Sequence, residues 1–362
     1  MQSEKYMIEK ENILLRKLKN FTKHPFFGII IAAVLMVLVQ VLGTLGLIRP
    51  SVVDIMASLW IYMIAGLGFT LLLGYAGLAS LGTAGFIGVG SYVVAFVLGK
   101  LGLPLFVAFT LGIIIAIMLG TIVGFISLRI EGMYLAIITL GLSEVLVEFF
   151  KFASPITNGL LGFQLERFKI FGILFREHQV YYILVFFLVL TMIAVVNIVD
   201  SPTGRAMLSI KNSTSAAQAM GISVLKYRLL TFVISTVLAV IAGMLYMSYT
   251  RSTLPNLWSI SISLNILAAV VIGGAKSIWG VGLGTFIIFG FDQLVLKQIR
   301  FFQIYGNASF IINGVLIILV VMFYPGGLIR LFKDLSYQTK KLHQTLKSRW
   351  KEYRYGKDDE KI

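Results

Sequence analysis

The sequence predicts an all-α, polytopic membrane protein. Hydrophobic residues make up 58% of the 362 residues and charged residues only 13%, and the mean hydropathy of +0.92 is far above that of a water-soluble domain. Apolar stretches of about 20 residues, the length that crosses a bilayer as a helix, recur along the chain. Because most Lys and Arg lie in the two tails and in short loops, the net charge of +15 indicates membrane orientation rather than nucleic acid binding.

About ten membrane spans are expected in residues 26–327, between a basic N-terminal segment, residues 1–25, and a basic tail, residues 328–362. The predicted spans are Phe26–Ile48, Asp54–Leu73, Tyr75–Leu98, Leu103–Leu128, Gly132–Phe150, Val180–Val199, Leu229–Tyr249, Ile260–Gly274, Val281–Leu296 and Ala308–Tyr324. The first is too long for a signal-peptide core and lacks a small-residue cleavage site, so we expect it to be retained. The Pro-Gly-Gly sequence at residues 325–327 ends the last span.

The third and eighth predicted spans are interrupted by glycine. The third contains GYAGLASLGTAGFIGVG, and the eighth is short and ends in VIGGAKSIWGVGLG. Glycines in membrane spans permit close approach of helix backbones, whereas the GxxxxGK[ST] pattern of a phosphate-binding loop is absent from the sequence. We therefore expect helix packing at these glycines and no nucleotide site in this chain.

Carboxylates occur within two predicted spans. Glu144 and Glu148 lie one helical turn apart in the fifth span, and Asp292 lies in the ninth. A carboxylate inside a membrane is costly, which makes each a candidate functional group, although an interhelical polar contact is the alternative. Cysteine is absent and the three histidines are scattered, so neither a catalytic residue nor a metal site is predicted.

The longest polar stretch between apolar spans is Ser201–Arg228. Pro202 suits the first turn of a helix, apolar residues then recur at helical spacing, and Gly221 suits its end. The pattern predicts one short amphipathic helix on the membrane surface, with a solvated connector as the alternative.

The distribution of positive charge predicts the orientation. With both termini and the Ser201–Arg228 loop in the cytoplasm, 22 of the 31 Lys and Arg lie inside and nine lie outside. The ten-span count then makes spans two to five and seven to ten two inverted four-helix repeats. Repeats of this kind commonly place a substrate path at their interface, beside broken or short helices.

Eight blocks of sequence occur in order between Trp60 and Leu328. They are GYAGLASLGTAGFIGVGSY, EGMYLAIITLGLSEVLVEF, SPTGRAMLSI, AAQAMGI, YRLLTFVIS, AGMLY, VVIGGAKSIWGVGLG and FYPGGL. In content and in order they resemble the LivM-type permease subunit of branched-chain amino acid ABC importers. The N-terminal 25 residues and the basic tail lie outside the resemblance.

The resemblance implies that the Ser201–Arg228 loop is a cytoplasmic coupling helix held in a cleft of an ATPase subunit. The residues expected to make this coupling are Gly204, Arg205, Ala216, Ala217, Gln218 and Gly221. This chain departs from the family at Asn212–Ser215, where acidic residues are common, so no carboxylate contact to the ATPase is carried over. No role is assigned to Thr83, where the family often has histidine.

The resemblance also implies the partners and the location of the chain. It predicts a transporter subunit that forms half of a translocation path in a bacterial-type plasma (inner) membrane, has no enzymatic activity of its own and binds no cofactor. ATP is expected at two partner ABC ATPases, and the other partners are a second homologous (LivH-type) permease, an extracytoplasmic binding protein and membrane lipids. The residues expected along the substrate path are Gly82, Gly85, Glu144, Gly273 and Gly274.

An ion-coupled secondary transporter is the alternative function, with Glu144 or Asp292 as the proton or cation site. It differs from the importer subunit in that this chain would transport a small solute alone. Branched-chain amino acids fit the resemblance, but similar permeases carry urea, short amides or other amino acids, and the sequence does not choose among them.

Overall fold

A computed structural model describes residues 25–127, 133–166, 169–170, 173–174, 177–295, 299, 308–324, 326–331 and 334. The basic N-terminal segment up to residue 24 and nearly all of the basic tail lie outside the described residues. Within the described part, the helices that are long and apolar enough to cross a membrane are Phe26–Thr44, Pro50–Tyr75, Leu105–Ile126, His178–Asp200, Val224–Thr250 and Pro255–Gly273. The chain is therefore a multi-pass, all-α membrane protein, as predicted.

The helices are numbered here in chain order. They are α1 (Pro25–Thr44), α2 (Pro50–Phe69), α3 (Thr83–Gly99), α4 (Leu105–Ser127), α5 (Met133–Phe152), α6 (Ser154–Thr157), α7 (Glu177–Asp200), α8 (Pro202–Asn212), α9 (Thr214–Ala219), α10 (Val224–Thr250), α11 (Ile260–Gly273), α12 (Ile278–Thr285), α13 (Phe291–Leu294) and α14 (Ala308–Phe323). A π-helical turn, Thr70–Tyr75, extends α2, and another, Phe286–Gly290, joins α12 to α13.

Helical residues lie at each of the ten predicted span positions, and six helices meet the length and hydropathy expected of a span. The count of ten spans therefore stays a prediction. The largest boundary difference is in the third span, where α3 begins at Thr83 instead of Tyr75. Residues 76–82 are not helical, and Gly77 there has a φ of +71°, which ends the helical path of α2.

The polar loop between α5 and α7 contains more structure than its sequence indicated. Besides α6 it holds a 3₁₀ turn, Gly159–Leu161, and the strands β1 (Phe163–Gln164), β2 (Lys169–Ile170) and β3 (Ile173–Leu174). Strand β1 pairs antiparallel with β4 (Ser252–Thr253), and β2 pairs with β3. The β1–β4 pair fixes this loop to the segment that follows α10.

The described residues form two compact units, one up to Ile266 and one from Leu267. Helix α10 is the centre of the first unit and packs against α2, α3 and α4. Glycines on all three neighbours face it: Gly68 of α2 lies against Ser235 and Leu238, and Gly120 of α4 lies against Val233 and Thr236. Small residues of this kind let helix backbones approach closely in lipid, where burial of apolar surface alone does not hold helices together.

The closest approach joins α3 to α10. A Cβ atom on Gly90 of α3 would overlap with the carbonyl oxygen of Val240, and a Cβ atom on Gly243 of α10 would overlap with the carbonyl oxygen of Ile87. Each helix therefore places a glycine against the backbone of the other. Any larger residue at either position must push the two helices apart.

Hydrogen bonds join the surrounding helices to this centre. The Asp54 carboxylate near the start of α2 accepts a hydrogen bond from the Tyr249 hydroxyl near the end of α10, at 2.7 Å. The indole of Trp60 donates to the Tyr181 hydroxyl at 2.9 Å, and that hydroxyl donates to the Met36 carbonyl at 3.3 Å. These bonds connect α1, α2 and α7.

The second unit is built from the C-terminal half of α11 together with α12–α14. Its core contains Ala268, Ala269, Ile272, Ile288 and Val320. Glycine contacts recur here, since a Cβ atom on Gly284 would overlap with the Ala269 carbonyl oxygen.

The α3–α10 contact predicts the effect of one added methyl group. Gly243→Ala should lower the stability of the purified protein by about 1–3 kcal/mol, because its Cβ atom must displace the Ile87 backbone. Gly141→Ala in α5 is the matched control: its added Cβ atom would point into open space, with no atom of another element within 4 Å, and Ala favours helix over Gly by about 1 kcal/mol. Thermal unfolding in detergent measures both. Equal unfolding temperatures for the two variants would contradict the contact.

Candidate coupling loop and translocation path

The coupling loop forms two helices, α8 and α9, and the prediction of one helix is wrong. Ser213 separates them in an extended conformation, with φ of −160° and ψ of 113°. Its hydroxyl accepts a hydrogen bond from the Ala216 N–H at 3.2 Å and so caps α9. The run of Ser and Thr here offers the backbone local hydrogen bonds that compete with a continuous helix.

Both outer ends of this helix pair are fixed by their sequence. At the start of α8, the Ser201 hydroxyl accepts from the backbone N–H groups of Thr203 and Gly204. At the end of α9, Gly221 has a φ of +78°, its N–H donates to the Gln218 carbonyl, and the Ile222 N–H donates to the Ala217 carbonyl. This is a Schellman motif, and it confirms that Gly221 ends the helix.

The two helices differ in burial. Helix α8 buries Gly204, Ala206, Met207 and Ile210, and it packs against α7, α10 and the π-helical turn of α2. Helix α9 buries only Ala217. The side chain of Met220, directly after α9, is 68% exposed, and that of Leu225 is 52% exposed. The exposed apolar surface of the loop is therefore at and after α9.

The predicted coupling residues fall into two groups. Arg205, Ala216, Gln218 and Gly221 are exposed. Gly204 and Ala217 are buried within the chain itself, and a Cβ atom on Gly204 would lie 2.6 Å from the Ile198 carbonyl oxygen. Of the predicted coupling residues, the exposed ones are therefore those that a partner could contact.

Lys211, which the sequence did not single out, joins the loop to α2. From the last turn of α8 its ammonium donates to the carbonyl oxygens of Leu73 and Gly74, at 2.9 and 2.8 Å. Its methylene groups lie against Gly77, where an added Cβ atom would be 3.0 Å from Lys211 Cγ. A Lys near a helix C-terminus was the only signal in the sequence, and it did not reveal a partner more than a hundred residues away.

The break between α2 and α3 is stabilised by side-chain hydroxyls. The Leu81 N–H donates to Thr139 Oγ1 at 2.9 Å, and the Gly85 N–H donates to Ser143 Oγ at 3.1 Å, both on α5. The Ala84 N–H donates to Ser263 Oγ, in the first turns of α11, at 2.9 Å. The first N–H groups of a helix have no intrahelical acceptor, so these hydroxyls satisfy donors that lipid would leave unsatisfied.

Three of the predicted substrate-path residues, Gly82, Gly85 and Glu144, lie in the first unit. Added Cβ atoms on Gly82 and Gly85 would lie 2.9 Å from the Thr139 carbonyl oxygen and from Ser143 Oγ, so α3 begins in close contact with α5. Glu144 lies on the exposed face of α5 instead. Glu148 forms an exposed ion pair with Lys151 at 2.7 Å.

The other predicted path residues lie in the second unit. Gly273 packs directly on Gly280, and added Cβ atoms on either would overlap with the backbone of the other. Gly274 has a φ of +109° and lies against Gly326. Close backbone packing accounts for both glycines. Asp292 lies in α13, and its side chain is outside the described part of the structure.

Comparisons with a family model and with known proteins point to the same family of permeases. The family model described as "Branched-chain amino acid transport system / permease component" matches residues 51–321. The permease protein LivM of the high-affinity branched-chain amino acid transport system of Escherichia coli K12 is 27% identical over 78% of this chain and 71% of its own length. A probable LivH permease of Methanocaldococcus jannaschii is 26% identical over 65% of this chain and 76% of its own.

A more distant relative is the ribose import permease protein RbsC of Haemophilus influenzae, 27% identical over 59% of this chain and 68% of its own length. No solved structure matches the chain significantly. The family match covers most of the chain, including the broken α2–α3 segment and the two-helix loop. The chain therefore belongs to the family of branched-chain amino acid transport system permease components.

Proposed function

We propose that this chain forms half of the translocation path of an ATP-driven importer for branched-chain or related amino acids. The observation that carries the proposal is the family match over residues 51–321, since the matched relatives are permease components of such systems. A LivH-type relative supports a second homologous permease as partner. The comparisons give no support to the ion-coupled secondary transporter.

Energy is proposed to enter from two partner ATPases, which bind the ATP. The exposed side of α9, with Ala216, Gln218 and Met220, followed by Leu225, is the docking surface that we propose for one of them. Binding energy at such surfaces comes mainly from a few apolar anchors that become fully buried. Of the two large apolar side chains exposed in residues 201–228, Met220 is the more exposed.

A charge at Met220 should therefore disrupt ATPase docking without disrupting the fold. Met220→Glu buries an unpartnered carboxylate in the complex, which costs about 2 kcal/mol or more. The affinity for the ATPase should therefore fall roughly thirtyfold or more, and co-purification of the ATPase should fall with it. The mutant should still accumulate in the membrane, because the Met220 side chain is mostly exposed and contributes little to the packing of this chain.

Two further variants serve as controls for Met220→Glu. Leu161→Glu, at a leucine that is 83% exposed in the loop before α7, makes the same change elsewhere and should leave ATPase co-purification intact. Ala217→Glu places its carboxylate inside this chain and should lower the amount of folded protein instead. Normal ATPase recovery with Met220→Glu would remove the proposed docking surface.

The substrate path is proposed to run beside the helices that begin within the bundle. Helix α2 with its π-helical turn (26 residues) and α10 (27 residues) are both followed by an irregular segment and a shorter helix, α3 (17 residues) or α11 (14 residues). This parallel supports the inverted repeats proposed from the topology. Gly82 and Gly85 belong to the proposed path because they position the start of α3.

Glu144 supports a second permease in the membrane. The side chain lies on the exposed face of α5, together with Ile137 and Val145, which are 62% and 64% exposed. A carboxylate facing lipid is costly, so a partner subunit that supplies polar contacts is the more favourable neighbour. We propose that the second permease subunit covers this face.

Glu144→Gln separates the importer from an ion-coupled carrier. It removes the charge but keeps the shape and most hydrogen bonding, so uptake of radiolabelled leucine in cells should stay within about threefold of wild type, a cost below 1 kcal/mol. A carrier that moves protons through Glu144 should lose uptake. Uptake that disappears in the variant and survives ATP depletion in the wild type would favour the carrier.

The proposed topology places both termini, the tails at residues 1–25 and 328–362, and the coupling loop in the cytoplasm, with the binding protein on the other side of residues 26–327. The charge distribution supports it. A reporter inserted after Lys211 should be cytoplasmic, and one near Asn158 should be extracytoplasmic. The same side for both would exclude the ten-span arrangement.

A further inference from the structure

We infer that Lys211 is the positioning residue through which movement of the coupling loop reaches the broken α2–α3 segment. The inference rests on the proposed function, in which the loop receives movement from an ATPase. Movement of the loop is transmitted by the Lys211 side chain, which contacts the end of α2 and Gly77.

The end of α2 offers acceptors that Lys211 satisfies. In the π-helical turn, the carbonyls of Leu71 and Leu72 accept hydrogen bonds from the backbone N–H groups of Ala76 and Leu78. The next two carbonyls, those of Leu73 and Gly74, accept from the Lys211 ammonium. The last carbonyls of a helix carry the negative end of its dipole, so a cation there is electrostatically favoured.

Lys211 also contacts the first part of the break itself. Its side chain lies along Gly77, whose positive φ marks the change of direction after α2. From there, residues 78–82 lead to the start of α3, where the N–H groups of Leu81 and Gly85 are bound by α5. A shift of α8 therefore acts both on the last carbonyls of α2, through the Lys211 ammonium, and on Gly77, through its methylene groups. The next contacts along the chain are those between the start of α3 and the hydroxyls that bind it.

Helix α8 is suited to move as a unit with Lys211. Its buried face, which includes Met207 and Ile210, packs against α7 and α10, whereas most side chains of α9 are exposed. Lys211 lies in the last turn of α8, two residues before Ser213 separates the helices. The cation is thus next to the joint at which force on α9 enters α8.

A residue that only caps α2 would have different consequences. Its loss would lower the stability of the permease, and hydrolysis and uptake would fall together with the amount of intact complex. A positioning residue instead changes how much uptake each hydrolysed ATP produces. The ratio of leucine imported to ATP hydrolysed distinguishes the two roles.

The experiment uses the full importer reconstituted in vesicles, with radiolabelled leucine as the transported probe. Lys211→Met should keep ATPase association and most ATP hydrolysis, whereas leucine uptake should fall roughly tenfold, within the range of factors of about 5–150 for coupling between sites. Lys211→Arg should restore most uptake, because a guanidinium also donates to two carbonyls. Lys226→Met, an exposed lysine of the same loop, is the control and should behave as wild type.

A chemical rescue tests the same point on one folded sample. The chain has no cysteine, so Lys211→Cys introduces its only thiol. The thiolate of the introduced cysteine displaces methanesulfinate from 2-aminoethyl methanethiosulfonate and forms a disulfide to an aminoethylthio group. This restores a primary ammonium one bond farther from the Cβ atom than in lysine, and it should restore the uptake-to-hydrolysis ratio. Methyl methanethiosulfonate, which adds an uncharged methylthio group to the same thiol, should not restore the ratio. The wild-type complex, treated in parallel, controls for cysteines in partner subunits.

Each other outcome counts against the inference. Parallel loss of uptake and hydrolysis, failure of Lys211→Met to accumulate, or equal rescue by both reagents would make Lys211 a structural cap. Loss of ATPase association in Lys211→Met would make it a docking residue. If no ATPase co-purifies with the wild-type chain, the proposed importer function fails, which is a separate result from any effect of the Lys211 variants.

Discussion

The backbone contact between α3 and α10 is the constraint on which the first unit depends. Gly90 and Gly243 each lie against a main-chain carbonyl of the other helix, so the separation of the helices is set by backbone atoms rather than by adaptable side chains. Packing of this kind drives helix association in lipid, where apolar side chains gain little by leaving their surroundings. Because α10 also contacts α2 and α4, the position of α3 determines where the others can lie.

A fixed α3 permits a broken α2–α3 connection inside the bundle. Irregular backbone at membrane depth survives only where protein groups satisfy its hydrogen bonds. Thr139, Ser143 and Ser263 supply acceptors at the start of α3, and Lys211 supplies donors at the end of α2. The two ends of the break are thus held by different parts of the chain, one within the membrane helices and one on the coupling loop.

The sequence predicted the membrane helices well because their signal is apolar content, which does not depend on tertiary contacts. It placed the start of α3 eight residues too early, since the glycine-rich segment is as apolar where it is irregular as where it is helical. It predicted one coupling helix because the apolar spacing continues across Ser213, whose extended backbone depends on local capping. The inward direction of Ala217 and the partners of Lys211 come from contacts with other elements, which spacing does not encode.

Helices α8 and α9 have different surroundings, and their proposed roles differ accordingly. Helix α8 has a buried apolar face and bonds to the end of α2, so its position is determined by this chain. Helix α9 buries one alanine and ends in a Schellman motif that fixes its length, so it presents a defined surface with little hold on the bundle. Ser213 separates the helices without loosening either, since its hydroxyl caps α9 while its N–H donates to the Ser209 carbonyl of α8. In the proposed importer, a partner that binds α9 acts on a short element that α8 flanks on one side and that leads through residues 220–223 into α10 on the other. The contact of Lys211 with the end of α2 is the proposed point at which movement of this element reaches the path.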